Sequence, residues 1–65
     1  MKIQVNGDWR EVRAAELNGA LADLGYGEAL VSTAVNGEFV PVAARSSTAL
    51  RDGDRIEVLA PMQGG

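Results

Sequence analysis

Residues 1–24 read MKIQVNGDWREVRAAELNGALADL, and a change of period inside them decides the fold. Met1, Ile3 and Val5 alternate with Lys2 and Gln4, the pattern of a half-buried strand. Asn6-Gly7 is a hairpin signal, because both central positions of a tight turn favour residues that tolerate positive φ. Trp9 to Arg13 then reads as the returning strand, with Val12 as its core residue. Trp9 reads either as cover for the sheet edge or as an exposed contact. From Ala14 to Leu24 the period becomes helical: Leu17, Leu21 and Leu24 recur at i, i+4 and i+7, with Ala20 beside them. Glu16 suits the amides at the start of that helix, and Gly25 is a natural stop. Asn18 and Gly19 weaken the interior, so packing must hold it.

The remainder repeats the hairpin theme. Tyr26-Gly27-Glu28 reads as linker and 30–35 as a strand. Asn36-Gly37 is a second hairpin signal, Glu38-Phe39-Val40 returns, and Pro41 limits further pairing. Val42 to Leu50 has no clean period; Ser46, Ser47 and Thr48 suggest a loop with one short helical turn. Arg51-Asp52-Gly53-Asp54 is a turn, since its carboxylates lack the further ligands of a calcium loop. Arg55 and Glu57 alternate with Ile56 and Val58 in a last strand, and Pro61 stops its ladder. One main helix must cover the apolar face of a mixed four- or five-stranded sheet. The first and last strands lie side by side in the middle, the hairpin sets the second strand beside the first, and a right-handed crossover brings the later strands to the other side. This is an α+β chain of the β-grasp, or ubiquitin-like, kind: a domain over 1–60 and a tail over 61–65.

Composition narrows the function. A chain of 65 residues is one domain, and it buries only about 60% of its unfolded surface. It has no cysteine and no histidine, which removes disulfides, Cys/His metal sites and Ser-His or Cys-His catalysis. Six basic residues face nine acidic ones. That balance disfavours nucleic acid as a partner and suits a basic docking surface. No apolar run reaches membrane-spanning length, and the amphipathic start is not a signal peptide. A cytoplasmic location is the resulting expectation. The sole lysine, Lys2, sits in a strand and not in a phosphate-binding loop.

The chain closes with Met62-Gln63-Gly64-Gly65. Such an end is thin and extendable, and its chemical group is the main-chain carboxylate of Gly65. Together with Asn36-Gly37-Glu38-Phe39-Val40-Pro41 and Leu50-Arg51-Asp52-Gly53-Asp54-Arg55-Ile56-Glu57-Val58, this end resembles the sulfur carriers of thiamin thiazole biosynthesis. Their relatives are the small subunit of molybdopterin synthase and, more distantly, ubiquitin. The resemblance spans the whole chain. It implies a protein co-substrate and not an enzyme. It further implies that an E1-like partner would adenylate Gly65 with ATP and Mg2+, both held by that partner, so that the chain itself would bind no cofactor. By the same resemblance, sulfur from an upstream donor protein would replace AMP, and the thiocarboxylate would serve a thiazole synthase.

Glycines at 64 and 65 suit passage through a channel into a partner's active site. Leu59 and Met62 are the apolar contact candidates, and Arg55, Glu57 and Gln63 the polar ones; Leu59 reads equally well as core. Three alternatives stay open: a carrier for molybdopterin or another sulfur acceptor, a ubiquitin-like modifier, and a passive β-grasp interaction module with incidental glycines.

Overall fold

The computed structural model describes residues 1–27 and 30–60. The chain runs β1 (Lys2–Val5), β2 (Asp8–Glu11), α1 (Leu17–Asp23), β3 (Ser32–Val35), β4 (Glu38–Val40), a 3-10 turn (Val42–Ser47) and β5 (Arg55–Leu59). The five strands form one mixed sheet in the order β2-β1-β5-β3-β4. β5 lies at the centre, parallel to β1 and antiparallel to β3. The sheet is therefore the expected β-grasp arrangement at its five-stranded size.

Ile3, Val5, Ile56 and Val58 point to one face and meet Val12, Leu17, Ala20, Leu21, Val40 and Leu50 in the core. Leu24 and Tyr26 pack on its margin. Val12 is buried as expected, but it follows β2 instead of lying in it.

The helix is shorter than its period implies. Residues 14–16 stay outside because they pair elsewhere: Glu16 bridges Ala49, and Ala15 O accepts from Leu50 N at 2.8 Å. Glu16 is the N-cap, yet its side chain makes no cap bond. The first helical amide, Leu17 N, donates instead to Thr48 O at 2.9 Å. The other end closes as a Schellman motif. Gly25, at φ 92, donates to Ala22 O, and Tyr26 N donates to Leu21 O at 2.8 Å.

Gly19 is not a mere weakness in the helix. A Cβ there would stand 2.5 Å from the Ala14 Cβ, so the loop before the helix packs directly on a glycine. Gly19→Ala should lower stability by about 1–2 kcal/mol, because overpacking outweighs the gain in helix propensity. A urea titration checks the sign, which propensity alone would reverse.

The same loop is held by Asp23. Its Oδ2 accepts from Arg13 N at 2.8 Å and Ala14 N at 3.0 Å. The Ala14 and Arg13 amides, in that order, hold this carboxyl below the ordinary 3.8, with the Arg13 charge adding to them. A lowered folded value means that the contribution is present above about pH 4 and is lost as pH falls through the folded value. Asp23→Asn should therefore separate from wild type in unfolding midpoint at pH 7, and the gap should close in acid.

Candidate functional site

β5 carries the site's described residues. Its alternation sends Ile56 and Val58 into the core and Arg55, Glu57 and Leu59 to the open face. Leu59 is thus a surface residue, 64% exposed, and not part of the core. Met62, Gln63, Gly64 and Gly65 lie outside the described residues, as does the whole proposed tail over 61–65.

The register assembles the neighbours of these side chains. Leu59 stands opposite Ser32. Glu57 stands opposite Ala34, and Ala34 opposite Phe39, 69% exposed at the sheet edge. Arg55 pairs with Gln4, and Gln4 with Trp9 on the other edge. Trp9, 56% exposed, is therefore an open-face residue on an edge strand. The small side chains of Ser32 and Ala34 leave Leu59 and Phe39 standing proud on the open face. Phe39 has no signal of its own in the sequence. A three-residue strand is too short for its alternation to assign a face, so the register had to supply it.

β5 is pegged from both sides by the two hairpin tips. Asn6 and Asn36 sit at φ 51 and 50, each followed by a glycine at positive φ. The Asn6 carboxamide spans the Val58 backbone: Oδ1 accepts from Val58 N at 2.9 Å and Nδ2 donates to Val58 O at 3.0 Å. Asn36 treats Arg55 similarly. Its backbone N donates to Arg55 O at 2.7 Å, and its Oδ1 accepts from Arg55 N at 2.9 Å. The sequence identified these pairs as turns; the side-chain role was hidden by separations of 52 and 19 residues.

Asp52, Asp54 and Arg45 play structural parts. Asp52 Oδ1 accepts from Lys2 N and Asp54 Oδ2 from Arg51 N, both at 2.8 Å, so the acidic turn launches β5. Arg45, buried and unforeseen, donates from Nε to Thr33 Oγ1 at 3.2 Å and from Nη2 to Val31 O at 2.5 Å. It fastens the 3-10 turn to β3. Among the described residues, no group of three acidic side chains could hold a metal ion, and no helix is long and apolar enough to cross a membrane. A groove of about 430 Å³ beside β4 is lined by one ionisable side chain, Glu38. Among the described residues, the candidate contact surface is the open face of the sheet.

The model of the ThiS family matches residues 3–65. The chain belongs to the ThiS family. A crystal structure of a thiamine biosynthesis protein (ThiS) from Geobacter metallireducens is 33% identical, with TM-score 0.82 and full coverage of both chains. A solution structure of a thiamine biosynthesis protein from the same organism is 32% identical, with TM-score 0.76, over all of this chain and 88% of that one. A thiazole synthase of Paramagnetospirillum magneticum is 33% identical over 66 residues. That match takes in all of this chain but only 20% of the synthase, so the chain spans about a fifth of that relative's length. Membership of the ThiS family points to a sulfur-carrier role in thiamine biosynthesis.

Proposed function

We propose that this ThiS protein carries sulfur as a thiocarboxylate on Gly65 and delivers it for the thiazole ring of thiamin. A Gly65 carboxylate oxygen attacks the α-phosphorus of ATP on an E1-like partner, which holds the Mg2+, and pyrophosphate leaves. Sulfide-level sulfur supplied by an upstream donor protein adds to the acyl carbon as HS−, AMP leaves, and the S–H proton is lost to solvent. The product is an acyl group bearing a soft, anionic sulfur. Activation is needed because a carboxylate is a poor electrophile with no usable leaving group. The setting is the cytoplasm.

One observation carries the choice of acceptor. A polypeptide named thiazole synthase contains a segment matching this whole chain. The presence of this kind of domain in a polypeptide with that name associates it with thiazole synthesis. That favours thiazole synthesis over molybdopterin or another acceptor.

Gly64 and Gly65 narrow the tail so that it can enter a partner's active site, and Met62 and Gln63 line the approach. Ordering such residues costs about 1–2 kcal/mol each in backbone entropy. The folded domain offsets that cost from its open face. Burying Leu59 and Phe39 against a partner contributes roughly 1.5–3 kcal/mol apiece at full burial. Arg55 and Glu57 supply polar registration beside them, and the net charge of −3 suits a basic partner surface.

ATP–pyrophosphate exchange catalysed by the adenylating enzyme tests this reading. Exchange should depend on this chain. Leu59→Glu, and Phe39→Glu equally, should raise the chain concentration needed for half-maximal exchange by about tenfold or more, with unfolding midpoints little changed. Exchange that ignores both variants would remove the open face from the account.

A further inference from the structure

We infer that Asn6-Gly7 is a spontaneous deamidation site which the fold keeps shut, and that its opening irreversibly retires the chain. The inference is independent of the carrier reading. The sequence supplies the chemistry: an asparagine followed by glycine lets the next backbone nitrogen approach the side-chain carbonyl without hindrance from a side chain. The Gly7 nitrogen, after losing its proton, attacks Asn6 Cγ. The C–N bond to the side-chain nitrogen breaks and ammonia leaves. Water then opens the succinimide at either carbonyl, giving aspartate or an isoaspartyl link. Water is the sole co-reactant.

The structure opposes the first step at Asn6. Its carboxamide is held by Val58 at both ends, at 2.9 and 3.0 Å, so Cγ is fixed against β5 and cannot turn toward the Gly7 nitrogen. Asn36 carries the same sequence signal with a weaker hold. Its Oδ1 takes one backbone bond, from Arg55 N, while its Nδ2 partner is an exposed carboxylate oxygen of Asp54. Reaction at either site in the folded protein requires local opening, and exposed side-chain bonds open most readily.

The consequences differ in the same order. An aspartate at position 6 would set a carboxylate oxygen against Val58 O, where a donor is required, and an isoaspartyl link would lengthen the tip that fixes the hairpin. Asn6 must unfold to react, and once it has reacted it cannot restore the clamp on the central strand. An aspartate at position 36 keeps the acceptor for Arg55 N and sets its other oxygen against the Asp54 carboxylate, a repulsion that water screens at this exposed site.

The test follows both sites by peptide mapping during incubation at mildly alkaline pH, with and without denaturing urea. In urea the two sites should convert at comparable rates. In buffer Asn6 should convert at least about tenfold more slowly than in urea, and Asn36 should fall between. Asn6→Asp, made directly, should lower the urea midpoint or fail to fold; Asn36→Asp should fold with a smaller shift. Equal conversion of Asn6 in buffer and urea, or an Asn6→Asp protein with an unchanged midpoint, would overturn the inference.

Discussion

A chain extended by a single residue beyond Gly65 is expected to lose adenylation outright while keeping its fold. The loss follows from chemistry and not from binding strength. The extension converts the Gly65 carboxylate into an amide, whose carbonyl oxygen is too weak a nucleophile to attack the α-phosphorus of ATP. The new carboxylate sits one residue too far along, behind a side chain if the added residue is alanine. Backbone spacing of about 3.3–3.6 Å per extended residue exceeds by far the tolerance for aligning a carboxylate with the phosphorus it attacks. Pyrophosphate exchange should fall to background, yet the extended chain should still compete for the enzyme, because Leu59, Phe39, Arg55 and Glu57 are untouched. A passive interaction module would bind its partner as before and have no exchange to lose. Retained exchange in the extended chain would place the reactive group elsewhere.

Asn6→Ala should be the most damaging of the surface substitutions, at about 3 kcal/mol. The Val58 N–H and C=O each lose their partner, and an unsatisfied buried backbone group costs roughly 1–3 kcal/mol, less where water reaches it. Alanine at φ 51 adds about 1 kcal/mol of backbone strain. For 65 residues the whole margin is on the order of 3–10 kcal/mol, so much of it disappears. Asn6→Gly relieves the strain but not the lost bonds and should recover only the strain component. Urea midpoints of the two variants separate the contributions. An alanine variant within about 0.5 kcal/mol of wild type, the ordinary range of a neutral surface change, would show that the clamp on β5 is unimportant.

The strand order could be read from the sequence because each element announces itself locally. Alternation at Ile3 and Val5, the two Asn-Gly tips, the leucine stripe and the Asp-Gly-Asp turn leave one helix and one crossover to arrange. What escaped depends on residues far apart in the chain. Gly19 looks like poor helix propensity until Ala14 is seen against it. The helix starts at Leu17 and not at Ala14 because Ala49 and Leu50 claim the residues before it. Asn6 reads as a turn former whatever its side chain touches. Leu59 could not be assigned to core or surface from a strand whose last alternating position is also its end; the pairing with Ser32 places it on the open face. Arg45 gave no hint of burial, since its acceptors, Val31 O and Thr33 Oγ1, lie 14 and 12 residues earlier in the chain.

Intact mass before and after alkylation tests the central claim most directly, using the chain incubated with its adenylating enzyme, ATP and a sulfur source. Replacement of one Gly65 oxygen by sulfur adds about 16 mass units, and the anionic sulfur should take up one alkyl group quickly. Methionine oxidation adds nearly the same mass but yields no such nucleophile, and the chain has no cysteine to compete. The account predicts a shifted species that alkylates once, with both changes mapping to Gly65. A chain that forms the adenylate yet never gains an alkylatable sulfur would contradict it.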